Sequence, residues 1–205
     1  MTVRAAFIKT RHRLRFPCVG TEAEDIDLRD IFYSLPRQSR WSGYCKQWYS
    51  VGRHSLLVAL ECERTARADG CTPLMVAYSA LAGALHDGAE AYIQDVNSPL
   101  KGQPFMSAYR VTEMSILRAI YQSVGMNVSY LYDGRWQEAD RLIGAHEGVV
   151  LMDHTPADMG LASVDETLCR QILAKRTKRD VEQELTEYVH GKLEDIARFT
   201  TKAAV

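Results

Sequence analysis

The feature that most constrains the fold is the run PLMVAYSALAGALHDGAEAYIQDV, residues 73–96, which is mostly apolar and follows directly on Thr72. A threonine hydroxyl can accept from a free N–H at a helix start, and proline suits the first helical position, so a helix is predicted from Pro73 to about Val96. A helix that is apolar on nearly every side belongs at the centre of a domain. Its neighbours are readable in the same way. Ser50 can cap a helix over residues 51–68, with Val51, Leu57, Val58 and Cys62 broadly on one face and Asp69-Gly70 ending it. NSPLKGQP breaks the chain before a helix over about 105–123, another is predicted over 135–152, and Val164 to about Phe199 carries one or two charged amphipathic helices. The acidic run TEAEDIDLRD opens a short helix up to about Leu35, where Pro36 stops it. Residues 37–49, RQSRWSGYCKQWY, read as a shaped loop forming part of a pocket wall. With hardly any strand alternation and no internal repeat, the expectation is an all-α helical bundle.

A chain of 205 residues is long enough to bury one sizeable core without staples. The 25 basic and 26 acidic side chains give a formal charge of -1, which removes the broad positive field of a nucleic-acid coat protein and leaves room for a local anion pocket. No stretch approaches the roughly 18 apolar residues of a membrane span, and the basic start has no apolar signal core. The five cysteines show neither metal-knuckle nor CxxC spacing and read as free thiols in a reducing compartment. A cytoplasmic protein with no membrane partner and no stable nucleic-acid partner is expected. Without a Gly-rich P-loop or a GxSxG elbow, covalent serine chemistry is disfavoured.

The chemistry gathers around His86 and Asp87, two ionisable groups late in an otherwise apolar helix. A short carboxylate and a longer imidazole from one turn can converge on an ion beside the helix. Other helices must complete such a shell, and the sequence offers His54 and Asp140. Glu90 follows His86 by four positions and Asp87 by three, so it projects from the same face. His146, His154, His12 and His190 define no second site and read as ordinary polar residues.

The stretches YSVGRHSLLVA around His54, ALHDGAEAYIQDVNSPLK around His86 and Asp87, and EADRLIGAHE around Asp140 resemble the HD-domain metal-dependent phosphohydrolases, whose pattern is His, then His-Asp, then a distant Asp. The likeness extends over most of residues 31–150 and is nearest to compact bacterial 5'-deoxynucleotidases and the related bacteriophage dATP triphosphohydrolases. It implies a catalytic core over 31–155, an N-terminal extension over 1–30, and a C-terminal helical extension over 156–205 packed on the core or at an interface between copies.

The resemblance further implies that His54, His86, Asp87 and Asp140 hold a divalent transition metal (Zn²⁺, Co²⁺, Mn²⁺ or Fe²⁺), with Mg²⁺ at a second, substrate-associated position. Two neutral imidazoles and two carboxylates suit such an ion and leave the site near electroneutrality. Glu90 matches the catalytic glutamate that handles the water proton. Arg40 and Trp41 match a paired Arg-Trp, the arginine to clamp phosphate with two donors and the indole to exclude a 2'-hydroxyl. Asp95 matches an acid contacting the sugar, although a local turn carboxylate would look the same. Arg53 and Lys101 are further phosphate-binding candidates, each equally compatible with a surface cation. The additional aromatics Tyr44 and Trp48 suit base stacking, core filling or an interface.

The implied activity is hydrolysis of a 2'-deoxynucleotide in a homo-oligomeric enzyme, first dATP to deoxyadenosine and triphosphate. The alternatives are a 5'-deoxynucleotidase acting on dNMP and a non-catalytic helical nucleotide-binding or scaffold protein.

Overall fold

The computed structural model describes residues 7–203; the first six residues of the basic leader lie outside them. The described chain is a helical bundle whose only sheet is a pair of two-residue antiparallel strands, β1 (Phe7–Ile8) and β2 (Phe16–Pro17). Phe16 turns inward from β2, is fully buried, and stacks on Tyr92 with ring centroids 3.9 Å apart.

The centre is an antiparallel hairpin of α2 (Val51–Ala68) and α3 (Pro73–Leu85). The caps read from sequence set its ends: the Ser50 side chain accepts from the Arg53 N–H and the Thr72 side chain from the Met75 N–H. Two glycines let backbones meet here. A β-carbon on Gly83 would lie 2.9 Å from Cys62 Sγ and 3.0 Å from the Cα of Ala59, and one on Gly52 would lie 2.9 Å from the nitrogen of Pro36. The first half of α2 is buried all round rather than on one face, with every residue from Val51 to Ala59 enclosed. Its hydroxyl at Ser55 turns back to the carbonyl of Val51, which allows a polar residue there.

Around the hairpin lie α1 (Leu28–Ser34), α6 (Ser107–Ser123), α7 (Gly134–Met152), α8 (Glu166–Leu173) and α9 (Lys178–Ala203). The segment beyond Val164 is thus two helices. Helix α9 packs along α3 and α1, placing Leu185 and Val189 in the same core as Ile31, Leu81, Leu85, Ile116 and Ile120. A second cluster joins Leu57, Val58 and Cys62 of α2 to Ile143 and Leu151 of α7 and Ile172 of α8.

The helix expected to run unbroken to Val96 ends at Leu85. A short α4 (Glu90–Ile93) and α5 (Ser98–Lys101) follow it, separated by Gln94 in the left-handed region at φ 74°. The reason is local. The Gly88 N–H bonds the carbonyl of Leu85 at 2.8 Å, a tightened turn in which a β-carbon at position 88 would lie 2.9 Å from that same oxygen. The apolar character of the run continues through this break and hides it in the sequence. All five cysteines are free thiols, and among the described residues no helix is long and apolar enough to cross a membrane.

Candidate metal centre

His54 lies in the first turn of α2, His86 caps the C-terminus of α3, and Asp87 follows in the tightened turn. The antiparallel hairpin therefore sets the two imidazoles side by side, their centroids 5.3 Å apart. One donor atom from each of His54, His86 and Asp87 lies within 4.8 Å of the other two, a His/His/Asp cluster able to hold a metal ion. Asp87 Oδ2 is 3.2 Å from His86 Nε2 and 3.8 Å from His54 Nε2. Asp140, from α7, brings Oδ1 to 3.0 Å from His54 Nε2 and 3.9 Å from His86 Nε2. Donor atoms about 2.0–2.2 Å from a shared tetrahedral ion are about 3.4 Å apart, so these separations fit such an ion.

Two observations say the residues fit a cation. First, Nε2 of both histidines is buried and makes no hydrogen bond of good geometry, its near neighbours being the Asp87 and Asp140 carboxylates of the cluster itself, and such atoms are costly to leave unmet. Nδ1 of His86 faces the carbonyl of Gly83 at 2.8 Å; a carbonyl can only accept, so Nδ1 carries the proton and Nε2 presents its lone pair to the cluster. Second, carboxylates crowd the imidazoles. Burial and the Arg40 charge act to lower the His54 pKa, but Glu147 and Asp140 outweigh them and hold it up at about 9. A divalent ion would relieve that excess of negative charge.

Above the cluster opens a cavity of about 750 Å³. Arg40, Trp41, Asp87, Glu90, Asp95, Lys101 and Asp140 all line it, so most of the residues singled out from sequence share one space. Glu90 is 3% exposed; its Oε1 accepts from Lys101 Nζ at 3.2 Å and its Oε2 is buried with no partner. Burial, with Asp87 and Asp95 nearby, pushes the Glu90 carboxyl well above its usual range. Asp95 is raised as well, chiefly by burial. Lys101 also donates to Glu113 at 2.7 Å, so its ammonium is shared between two carboxylates.

The other cations differ from expectation. Arg53 is absent from the cavity wall: its guanidinium donates to Glu184 of α9 at 3.1 Å and to the carbonyl of Gln171 of α8 at 3.1 Å. Adjacent helical positions diverge by about 100°, so the neighbour of His54 faces elsewhere. The guanidinium of Arg40 does reach the cavity, but two of its donors are directed to protein carboxylates, Nε to Glu147 at 3.0 Å and Nη1 to Asp87 at 3.4 Å. Of the aromatic loop, Trp41 and Tyr44 face the cavity while Trp48 sits under the Lys178 ammonium. His146 accepts from the Asp165 N–H at 3.0 Å and so helps order the start of α8.

One site residue was not visible from its chemistry in the sequence. Glu147 of α7 is completely buried, with Oε1 2.6 Å from His54 Nδ1 and Oε2 accepting from Arg40 Nε and, at 3.2 Å, from Trp41 Nε1. Its position two helical turns after Asp140 was the available signal.

No protein-family profile matches the chain. Over 121 residues it is 30% identical to the uncharacterized protein YfdR of Escherichia coli (strain K12), covering 59% of this chain and 60% of that relative's length. Its fold is similar to the cyanophage S-2L HD phosphohydrolase DatZ, whose structure holds dA and one catalytic Zn²⁺ ion, with a TM-score of 0.52 and 16% identity over 82% of this chain and 97% of that one. The molecule is therefore a helical protein with the fold of an HD phosphohydrolase, carrying at its centre a His/His/Asp cluster able to coordinate a divalent metal.

Proposed function

We propose that this protein is a metal-dependent phosphohydrolase acting on 2'-deoxynucleotides, with dATP hydrolysed to deoxyadenosine and triphosphate as the leading reaction. The observation that carries the reading is the pair of buried histidine Nε2 atoms beside Asp87, a residue that itself lines a cavity large enough for a nucleotide. His54, His86, Asp87 and Asp140 would hold the divalent ion, which would supply Lewis-acid polarisation of a phosphoryl oxygen and make water more acidic.

The chain's own groups do the rest. Glu90, anchored through Oε1 by Lys101, offers its unpartnered Oε2 to take a proton from the attacking water and return it to the departing 5'-oxygen. The water oxygen bonds to the α-phosphorus as the bond from that phosphorus to the 5'-oxygen breaks, so one water is consumed per turnover. Asp95 contacts the sugar, and the Trp41 ring, directed by its indole N–H to Glu147, limits space beside the 2'-position.

The second reading, a 5'-deoxynucleotidase acting on dNMP, is favoured by one observation. Both Arg40 and Lys101 already face protein carboxylates, which leaves less free positive charge for a polyphosphate. Metal-loaded protein incubated with dNMP, dNTP and NTP panels decides between them. Deoxyadenosine appearing with triphosphate supports the leading reaction, cleavage confined to monophosphates moves the assignment to the second, and no hydrolysis in any panel overturns both.

A further inference from the structure

Resting on the metal-dependent reading above, we propose that Glu147 is a positioning residue: it fixes the ring of His54 so that Nε2 faces the metal site, and ties that ligand to the cavity wall through Arg40 and Trp41. An ionised carboxylate only accepts, so a contact of 2.6 Å from Oε1 to His54 Nδ1 requires a proton on Nδ1, and Nε2 is then the nitrogen that gives up its proton to coordinate. The other oxygen takes Nε of Arg40 at 3.0 Å and Nε1 of Trp41 at 3.2 Å. That end of the link holds an unusual stretch of chain. Trp41 and Ser42 are consecutive non-glycine residues at φ 55° and 51°, a conformation that persists where surrounding contacts enforce it. One fully buried side chain from α7 thus sets both a ligand of α2 and the loop over the cavity.

The arrangement makes Glu147→Gln informative although it is nearly isosteric. An amide has one accepting oxygen and one NH₂, whereas the three groups hydrogen-bonded to Glu147 here, on His54, Arg40 and Trp41, all donate. If the oxygen keeps Arg40 and Trp41, the NH₂ meets His54, whose proton must move to Nε2, where it blocks coordination. If the oxygen keeps His54, the NH₂ opposes two donors and the loop is released.

The experiment titrates metal-free wild type and Glu147→Gln with Co²⁺ and follows the visible ligand-field absorption. In parallel, long-range ¹H–¹⁵N correlation reads the His54 protonation pattern in the Zn²⁺-loaded full chain. Wild type is expected to show a protonated Nδ1 and coordinated Nε2, and the variant to bind Co²⁺ about 10–100-fold more weakly. Equal Co²⁺ affinity in the two proteins, with wild type binding, overturns the positioning role and leaves the metal reading standing. A wild-type protein that binds no Co²⁺ sinks the metal reading itself, and the inference with it. Should the variant not fold, wild type alone still decides: coordination through Nδ1, or an unprotonated Nδ1, refutes the proposal.

Discussion

Gly83→Ala probes the contact on which the whole site depends, the approach of α3 to α2. The added methyl would sit 2.9 Å from Cys62 Sγ, 3.0 Å from the Cα of Ala59 and 3.1 Å from its nitrogen. Ordinary non-bonded separations are about 3.5–4.0 Å, so the methyl is roughly 0.5–1 Å too close, and two of the three obstacles are backbone that cannot rotate away. Overpacking of this kind costs about 1–3 kcal/mol. Against it stands the helix preference for alanine over glycine, about 0.8–1.0 kcal/mol. The expected net loss is about 1 kcal/mol, which in a domain of this size lowers Tm by about 2–4 °C. His54 and His86 sit near the end of the same seam, so its spreading should also weaken Co²⁺ binding. Calorimetry of the metal-free protein and Co²⁺ titration measure the two effects. Cys62→Ala in the same background removes only the sulfur contact and should restore part of the loss. A variant about 1 kcal/mol more stable than wild type, with unchanged Co²⁺ affinity, would show that helix preference alone operates and refute the packing argument.

Glu90→Gln should retain metal, measured by elemental analysis, and lose about 10²–10⁴-fold in turnover on the deoxynucleotide it cleaves; unchanged turnover removes its proton-transfer role. Arg53→Ala should leave KM for that substrate unaltered and lower stability by about 1–3 kcal/mol in urea titrations through the loss of two hydrogen bonds, Glu184 keeping Arg176 and the Gln171 carbonyl keeping the Ala174 N–H. Glu63 supplies a pH test remote from the cavity. Burial raises its carboxyl pKa, but Lys192 and Tyr188 bonding to it outweigh burial and leave it below the ordinary value of 4.5. A depressed folded-state pKa stabilises above the unfolded value and loses that contribution as pH falls through the folded one. The stability difference between wild type and Glu63→Gln should therefore be level above about pH 6 and shrink toward zero in acid; a gap that widens on acidification contradicts the assignment.

How much could be read beforehand depended on how local the determining physics was. The bounds of α2 follow from a hydroxyl at Ser50 and a stop at Asp69-Gly70, both within one turn of the helix they define. The gathering of His54, His86 and Asp87 was legible because a helical hairpin brings the start of one helix to the end of the next. Glu147 escaped because its partner His54 is 93 residues away, and nothing in the chemistry of a lone glutamate announces a buried acceptor. Arg53 stayed open between phosphate ligand and surface cation because its place beside His54 does not fix its direction, and the helix turns its guanidinium toward α8 and α9. The break after Leu85 was hidden by continued apolar character, since Gly88 acts through steric room beside a carbonyl rather than through hydropathy.

The two histidines sit at the open mouth of the α2–α3 hairpin, at the end opposite its Asp69–Thr72 turn. An ion shared between them would act as a reversible cross-link, closing the hairpin into a loop of about 33 residues. Because the ion is released when the chain unfolds, it would stabilise the folded state by mass action, by about 2.7 kcal/mol at a free concentration 100 times its Kd. The same cation would then serve as a mechanical clasp, and metal supply would govern how long the folded protein survives as well as whether it turns over substrate.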